Sequence, residues 1–78
     1  MLSRYLHEAM KRARYKTLPD GTHFGQIPGL AGVWANENTL DRSQEVLQEV
    51  LEEWLILKIH DHHAIPRIGR VGLTVKAA

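Results

Sequence analysis

An α+β domain with element order α-β-β-β-α-β is what this sequence predicts, and three observations carry it. Two stretches, 3–13 and 39–60, place apolar side chains at helical spacing. Between them, Pro19-Asp20-Gly21 and Pro28-Gly29 cut an extended segment into three short runs. Near the end, Val71, Leu73 and Val75 alternate with Gly72 and Thr74. The central runs form an antiparallel meander, and the helices are expected on one face of the sheet.

The elements follow in order. Ser3 is a candidate N-cap for a first helix reaching Ala13, with Leu2, Leu6, Ala9, Met10 and Ala13 as its apolar stripe. Lys11, Arg12 and Arg14 fall at its end, where cations complement the helix dipole. Residues 14–18 suit a strand through Tyr15, Thr17 and Leu18. Pro19 then presets the first corner of a turn, and Thr22 to Ile27 run back as the second strand. His23 and Phe24 are neighbours on it, so one of the two faces solvent. Pro28-Gly29 breaks the ladder, and 32–35 give the third strand. Trp34 on that strand can face either way. Thr39 is the best N-cap for the second helix, with Asp41 in its first turn. Its expected buried stripe is Leu40, Leu47, Val50, Leu51, Trp54 and Leu55, reaching toward Leu57. Pro66 prevents helical continuation beyond the exit at His60. The last strand spans 70–76.

The chain has 78 residues, room for one small domain with a thin core. It contains no cysteine, so disulfides and thiolate metal sites are excluded. The N-terminus lacks the apolar run of a signal peptide, and no segment approaches a membrane span. A cytoplasmic protein is expected, and so small a core favours homo-oligomers. The formal net charge of +1 conceals a segregation. Up to Asn36 the bases are Arg4, Lys11, Arg12, Arg14 and Lys16, against Glu8 and Asp20. From Glu37 to Asp61 seven acids face only Arg42 and Lys58. Such asymmetry marks either a charged partner or two solvated helix faces.

The stretch from Phe24 through Pro28-Gly29-Leu30-Ala31-Gly32 to Val33-Trp34-Ala35 is followed by Thr39-Leu40-Asp41 and a helix containing Trp54-Leu55. In that order and spacing it resembles the HicB-type antitoxin family, small bacterial proteins whose task is binding. The resemblance runs from about Tyr5 to Val75 and marks Phe24, Pro28, Leu30, Gly32, Trp34, Thr39 and Trp54 as motif positions. Ala31 stands where the family usually has a second Pro, Glu37-Asn38 replaces a Gly-containing turn, and Ser43 stands where Ala is common. Longer family members add a C-terminal DNA-binding module, for which 1–78 leaves no room. The resemblance implies a partner, a small basic HicA-type toxin that cleaves RNA, whose active site the antitoxin covers. Glu45, Glu49, Glu52 and Glu53 on the second helix are the candidate charge partners for it. A free sheet edge offers a second means of attachment, to the partner or to another copy.

Two other readings compete. A nucleic-acid module would use Arg4, Lys11, Arg12, Arg14 and Lys16, although the helix dipole alone explains Lys11, Arg12 and Arg14, and direct nucleic-acid contact is not expected. A metal-dependent hydrolase would use His60, Asp61, His62 and His63. Adjacent histidines in a loop rarely converge on one ion, and no fourth ligand is evident, so neither a metal nor another cofactor is expected. No phosphate loop, nucleophile elbow or converging carboxylates point to catalysis. Trp54 is assigned to the core, whereas Trp34 is open between core and partner contact.

Overall fold

The computed structural model describes residues 2–66. In order they form α1 (Leu2–Lys11), β1 (Arg14–Thr17), β2 (His23–Gln26), β3 (Trp34–Glu37) and α2 (Leu40–His60). The strands make one antiparallel sheet in the order β1-β2-β3. This is the α+β class and the order expected; the strand expected over 70–76 lies outside the described residues.

The inner face of the sheet is nearly bare of side chains at its centre. Tyr15, Gly25 and Ala35 share one rung of the ladder. Ala35 and Gly25 are buried there, and α2 lies across them. A Cβ on Gly25 would stand 2.6 Å from Tyr15 Cε1 and 3.4 Å from Ser43 Oγ. Glycine here leaves room for the Tyr15 ring of the neighbouring strand, with the first turn of α2 in ordinary contact beside it. Ser43 is fully buried, and its hydroxyl donates to the His23 carbonyl at 2.9 Å. The hydroxyl thus ties the first turn of α2 to the central strand, a link that alanine at this position lacks.

The link between β2 and β3 is two tight turns in succession. Leu30 N–H donates to the Ile27 carbonyl at 3.1 Å, and Val33 N–H donates to that of Leu30 at 3.3 Å. The third residue of each turn is a glycine at φ 87°. Pro28 and Ala31 occupy the second positions, a pattern of type II turns that explains why Pro or Ala serves equally at Ala31. The geometry turns Ile27, Leu30 and Val33 inward, all three buried. It also consumes Gly32 and Val33, so β3 starts at Trp34, two residues later than expected, and takes in Asn36 and Glu37.

The core joins these three residues to Tyr5, Ala9, Ala35, Leu47, Leu51, Leu55 and Ile65. Tyr5 lies outside the apolar stripe expected for α1. This side chain is fully buried, its hydroxyl donates to the Pro66 carbonyl, and burial pushes its pKa up. Ser3 lies inside α1 and is exposed, so it is not the expected cap. α1 stops at Lys11, where Arg12 and Ala13 N–H groups close back on Ala9 and Met10.

On α2 the expected cap holds. Thr39 is extended, at φ −129° and ψ 155°, and its Oγ1 accepts from Arg42 N–H at 3.1 Å. The buried row is Ser43, Leu47, Leu51 and Leu55, with Val50 and Trp54 packed on its margin. Leu40 and Leu57, expected in that row, are exposed. Leu57 stands about 160° around the helix from Leu55 and so off the row; for Leu40 the cause is length. Twenty-one residues make a helix of about 31 Å, whereas a four-residue strand spans only about 10 Å.

Candidate functional site

α2 carries the acidic candidates. At about 100° per residue, Glu45, Glu49, Glu52 and Ile56 fall within about 60° of one another, beside the buried row and turned away from it. Glu45 and Glu49 are exposed and Glu52 is half-buried; Glu53, also exposed, lies about 40° around the helix from Glu49 and widens the same acidic surface. Glu45 is engaged already, since its Oε2 accepts from Arg42 Nη1 at 3.0 Å. Arg42 also reaches Glu37 at 4.0 Å. At the C-terminal end of the row Ile56 is 61% and Leu57 62% exposed, with Ile59 beside them. The helix thus offers carboxylates that lead into an apolar end. Sequence pattern assigned Leu57 to the core and so concealed that combination.

The basic candidates do not share one surface. Arg4, Lys11 and Arg12 are exposed on or just after α1, and Lys11 pairs with Glu8 at 3.5 Å. Arg14 and Lys16 belong to β1 and to the outer face of the sheet. The register puts Arg14, Gln26 and Trp34 on one rung of that face and Lys16, Phe24 and Asn36 on the next. Trp34 is 55% exposed, and its ring stacks against Phe24 at 6.0 Å between centroids, 22° from parallel. Lys16 Nζ lies 5.6 Å from the Phe24 ring centre. Of its two possible orientations, Trp34 takes the outward one.

The remaining motif positions are structural. Pro28 and Gly32 build the two turns, Leu30 is buried, Thr39 caps α2, and Trp54 packs on the core margin with Lys58 Nζ 5.6 Å above its ring. The histidine cluster is a helix terminus. His63 N–H donates to the Lys58 carbonyl at 2.9 Å and His62 N–H to that of Ile59 at 3.2 Å. His62 stands at φ 56°, the left-handed position that closes such a cap. His60 Nδ1 lies 3.1 Å from Asp61 Oδ1, and this hydrogen bond holds the Asp61 carboxyl below the usual range. Among the described residues no three His, Asp or Glu side chains group as a metal site. An open groove of about 620 Å³ between the helices is lined by His7, Lys11, Asp41 and Glu45 among others, with no nucleophile and base in hydrogen-bond reach.

Among the described residues no helix is long and apolar enough to cross a membrane. No curated protein matches the chain. A crystal structure of TTHA0281 from Thermus thermophilus is similar to it at 39% identity and TM-score 0.91, covering 97% of this chain and 95% of that one. The family described as UPF0150-like matches residues 4–66. The chain therefore belongs to the UPF0150-like family, a small family related to the HicB-like antitoxins.

Proposed function

We propose that this chain is an antitoxin-like binding module that neutralises a small RNA-cleaving toxin of the HicA type by covering its active site. The observation that carries the reading is the row Glu45, Glu49 and Glu52 ending at exposed Ile56, on the side of α2 turned away from the buried row. A protein that binds RNA must present cations, and a carboxylate row steers toward it. Ile56 and Leu57 supply the apolar contact that such a complex needs at its centre. Kinship with HicB-like antitoxins supports the same reading. In it the chain acts by binding, as a homo-oligomer, and performs no chemistry itself.

The test begins with the tagged chain and identification of what it retains from its native extract. One small basic protein is expected. In the double variant Glu49→Lys/Glu52→Lys, affinity for that protein should fall about tenfold at low salt, and the loss should shrink as salt rises. An unchanged affinity at low salt would remove the acidic row from the interface.

A further inference from the structure

The outer face of the sheet has a composition that the antitoxin reading does not use. It is made of Arg14, Lys16, Phe24, Gln26, Trp34 and Asn36, and none of the six is acidic. Among the described residues the helices pack on the opposite face. Asn36 Oδ1 is shielded from solvent and has no hydrogen-bond donor. We propose that this face binds a short stretch of single-stranded nucleic acid, with unpaired bases stacked on Trp34 and Phe24 and the phosphates met by Arg14 and Lys16.

Three arguments choose this occupant. The first is chemistry. An aromatic pair on an antiparallel sheet gives each base a π-face, and flanking cations follow the backbone. A base arriving on Phe24 takes the place of the Lys16 ammonium now above that ring, which frees the ammonium for phosphate. The second is size. Three four-residue strands make a face of about 10 Å by 10 Å. That suits two or three stacked bases, while a stable protein interface needs about 800 Å² per partner. The third is charge. A second copy docked face to face would set Arg14 and Lys16 against their own equivalents, whereas a polyanion neutralises them. The site is separate from the acidic row of α2 and does not depend on toxin binding.

The experiment uses the full chain and a 5′-labelled single-stranded RNA of about eight nucleotides, followed by anisotropy across a salt series. In a Trp54→Phe background, Trp34 is the sole tryptophan and reports stacking by its own quenching. Binding is expected to weaken about tenfold in Trp34→Ala and to be largely kept in Trp34→Phe. Arg14→Gln/Lys16→Gln should lower the salt slope by about 1.4, which is about 0.7 for each phosphate left without its cation. A duplex of the same sequence should compete poorly, and single-stranded DNA should compete comparably. Unchanged melting of each variant shows that the fold is intact. The proposal is overturned by equal binding of duplex, by unchanged affinity in Trp34→Ala, or by absence of binding at low salt. It is overturned as well if Trp34 is shielded from acrylamide in the free protein, because the face is then already occupied.

Discussion

Gly25→Ala is the smallest change that tests how this fold is packed. Elsewhere in a strand, replacing glycine with alanine gains about 0.5–1 kcal/mol by narrowing the unfolded ensemble. Here the added methyl lands 2.6 Å from Tyr15 Cε1 and 2.7 Å from Cδ1, and the ring edge must retreat to at least 3.4 Å for ordinary contact. Ser43 Oγ, already at 3.4 Å, closes the other side. Overpacking of this kind costs about 1–3 kcal/mol. The clash therefore outweighs the entropic gain, and a net loss of about 0.5–2 kcal/mol is expected. In a domain of this size that lowers the Tm by about 2–16 °C. Urea unfolding and thermal melts at matched protein concentration measure it, since any self-association would move both. In a Tyr15→Ala background the same methyl meets only Ser43 Oγ, at ordinary contact distance, and should be neutral or stabilising. A Tm raised by Gly25→Ala, or equal effects in both backgrounds, would refute the account of the Tyr15 ring packed over Gly25.

Other expectations follow from single contacts. Ser43→Ala removes the bond to the His23 carbonyl and should cost about 1 kcal/mol in urea unfolding, with the slope of the transition unchanged. His62→Gly relieves a left-handed residue and should raise stability by up to about 1 kcal/mol, because the relief of about 1–2 kcal/mol exceeds the entropy lost. The Asp20 carboxyl is held below its ordinary value by the Thr22 hydroxyl at 2.6 Å and the Thr22 N–H at 3.0 Å. A carboxyl depressed in the folded state adds stability above its unfolded pKa of about 3.9. That contribution is lost as pH falls through the lower folded value. Thr22→Val should bring the Asp20 titration back toward the ordinary carboxylate range, as read by NMR.

What the sequence disclosed was local, and what it hid was relational. Thr39 announced itself because an N-cap depends on three or four consecutive residues. The breaks at Pro19-Asp20-Gly21 and Pro28-Gly29 were legible for the same reason. The start of β3 was not, because two successive turns consume more chain than one Pro-Gly signal implies. Which way Trp34 points was hidden as well, because it rests on the register that pairs Trp34 with Gln26 and buries Ala35 against Gly25. Leu40 fits the helical period as well as Leu47 does, and only the shortness of the sheet leaves it exposed, whereas Leu57 stands about 100° off the centre of the row. Tyr5 sits one helical turn before Ala9, a spacing visible in the sequence, yet its partner is sixty-one residues away at Pro66. For the candidate site, the acidic row was readable from the helix period. The rung pairing Phe24 with Lys16 required the hairpin register.

The tie between Tyr5 and Pro66 has a consequence for the order in which the domain folds. It brings the first turn of α1 against Pro66 and so closes a loop of sixty-one residues that contains the sheet and α2. Closing a loop of that length costs entropy that is repaid only once the elements inside it have formed. This contact is therefore expected to form late in folding and to be among the first to open when the domain is destabilised.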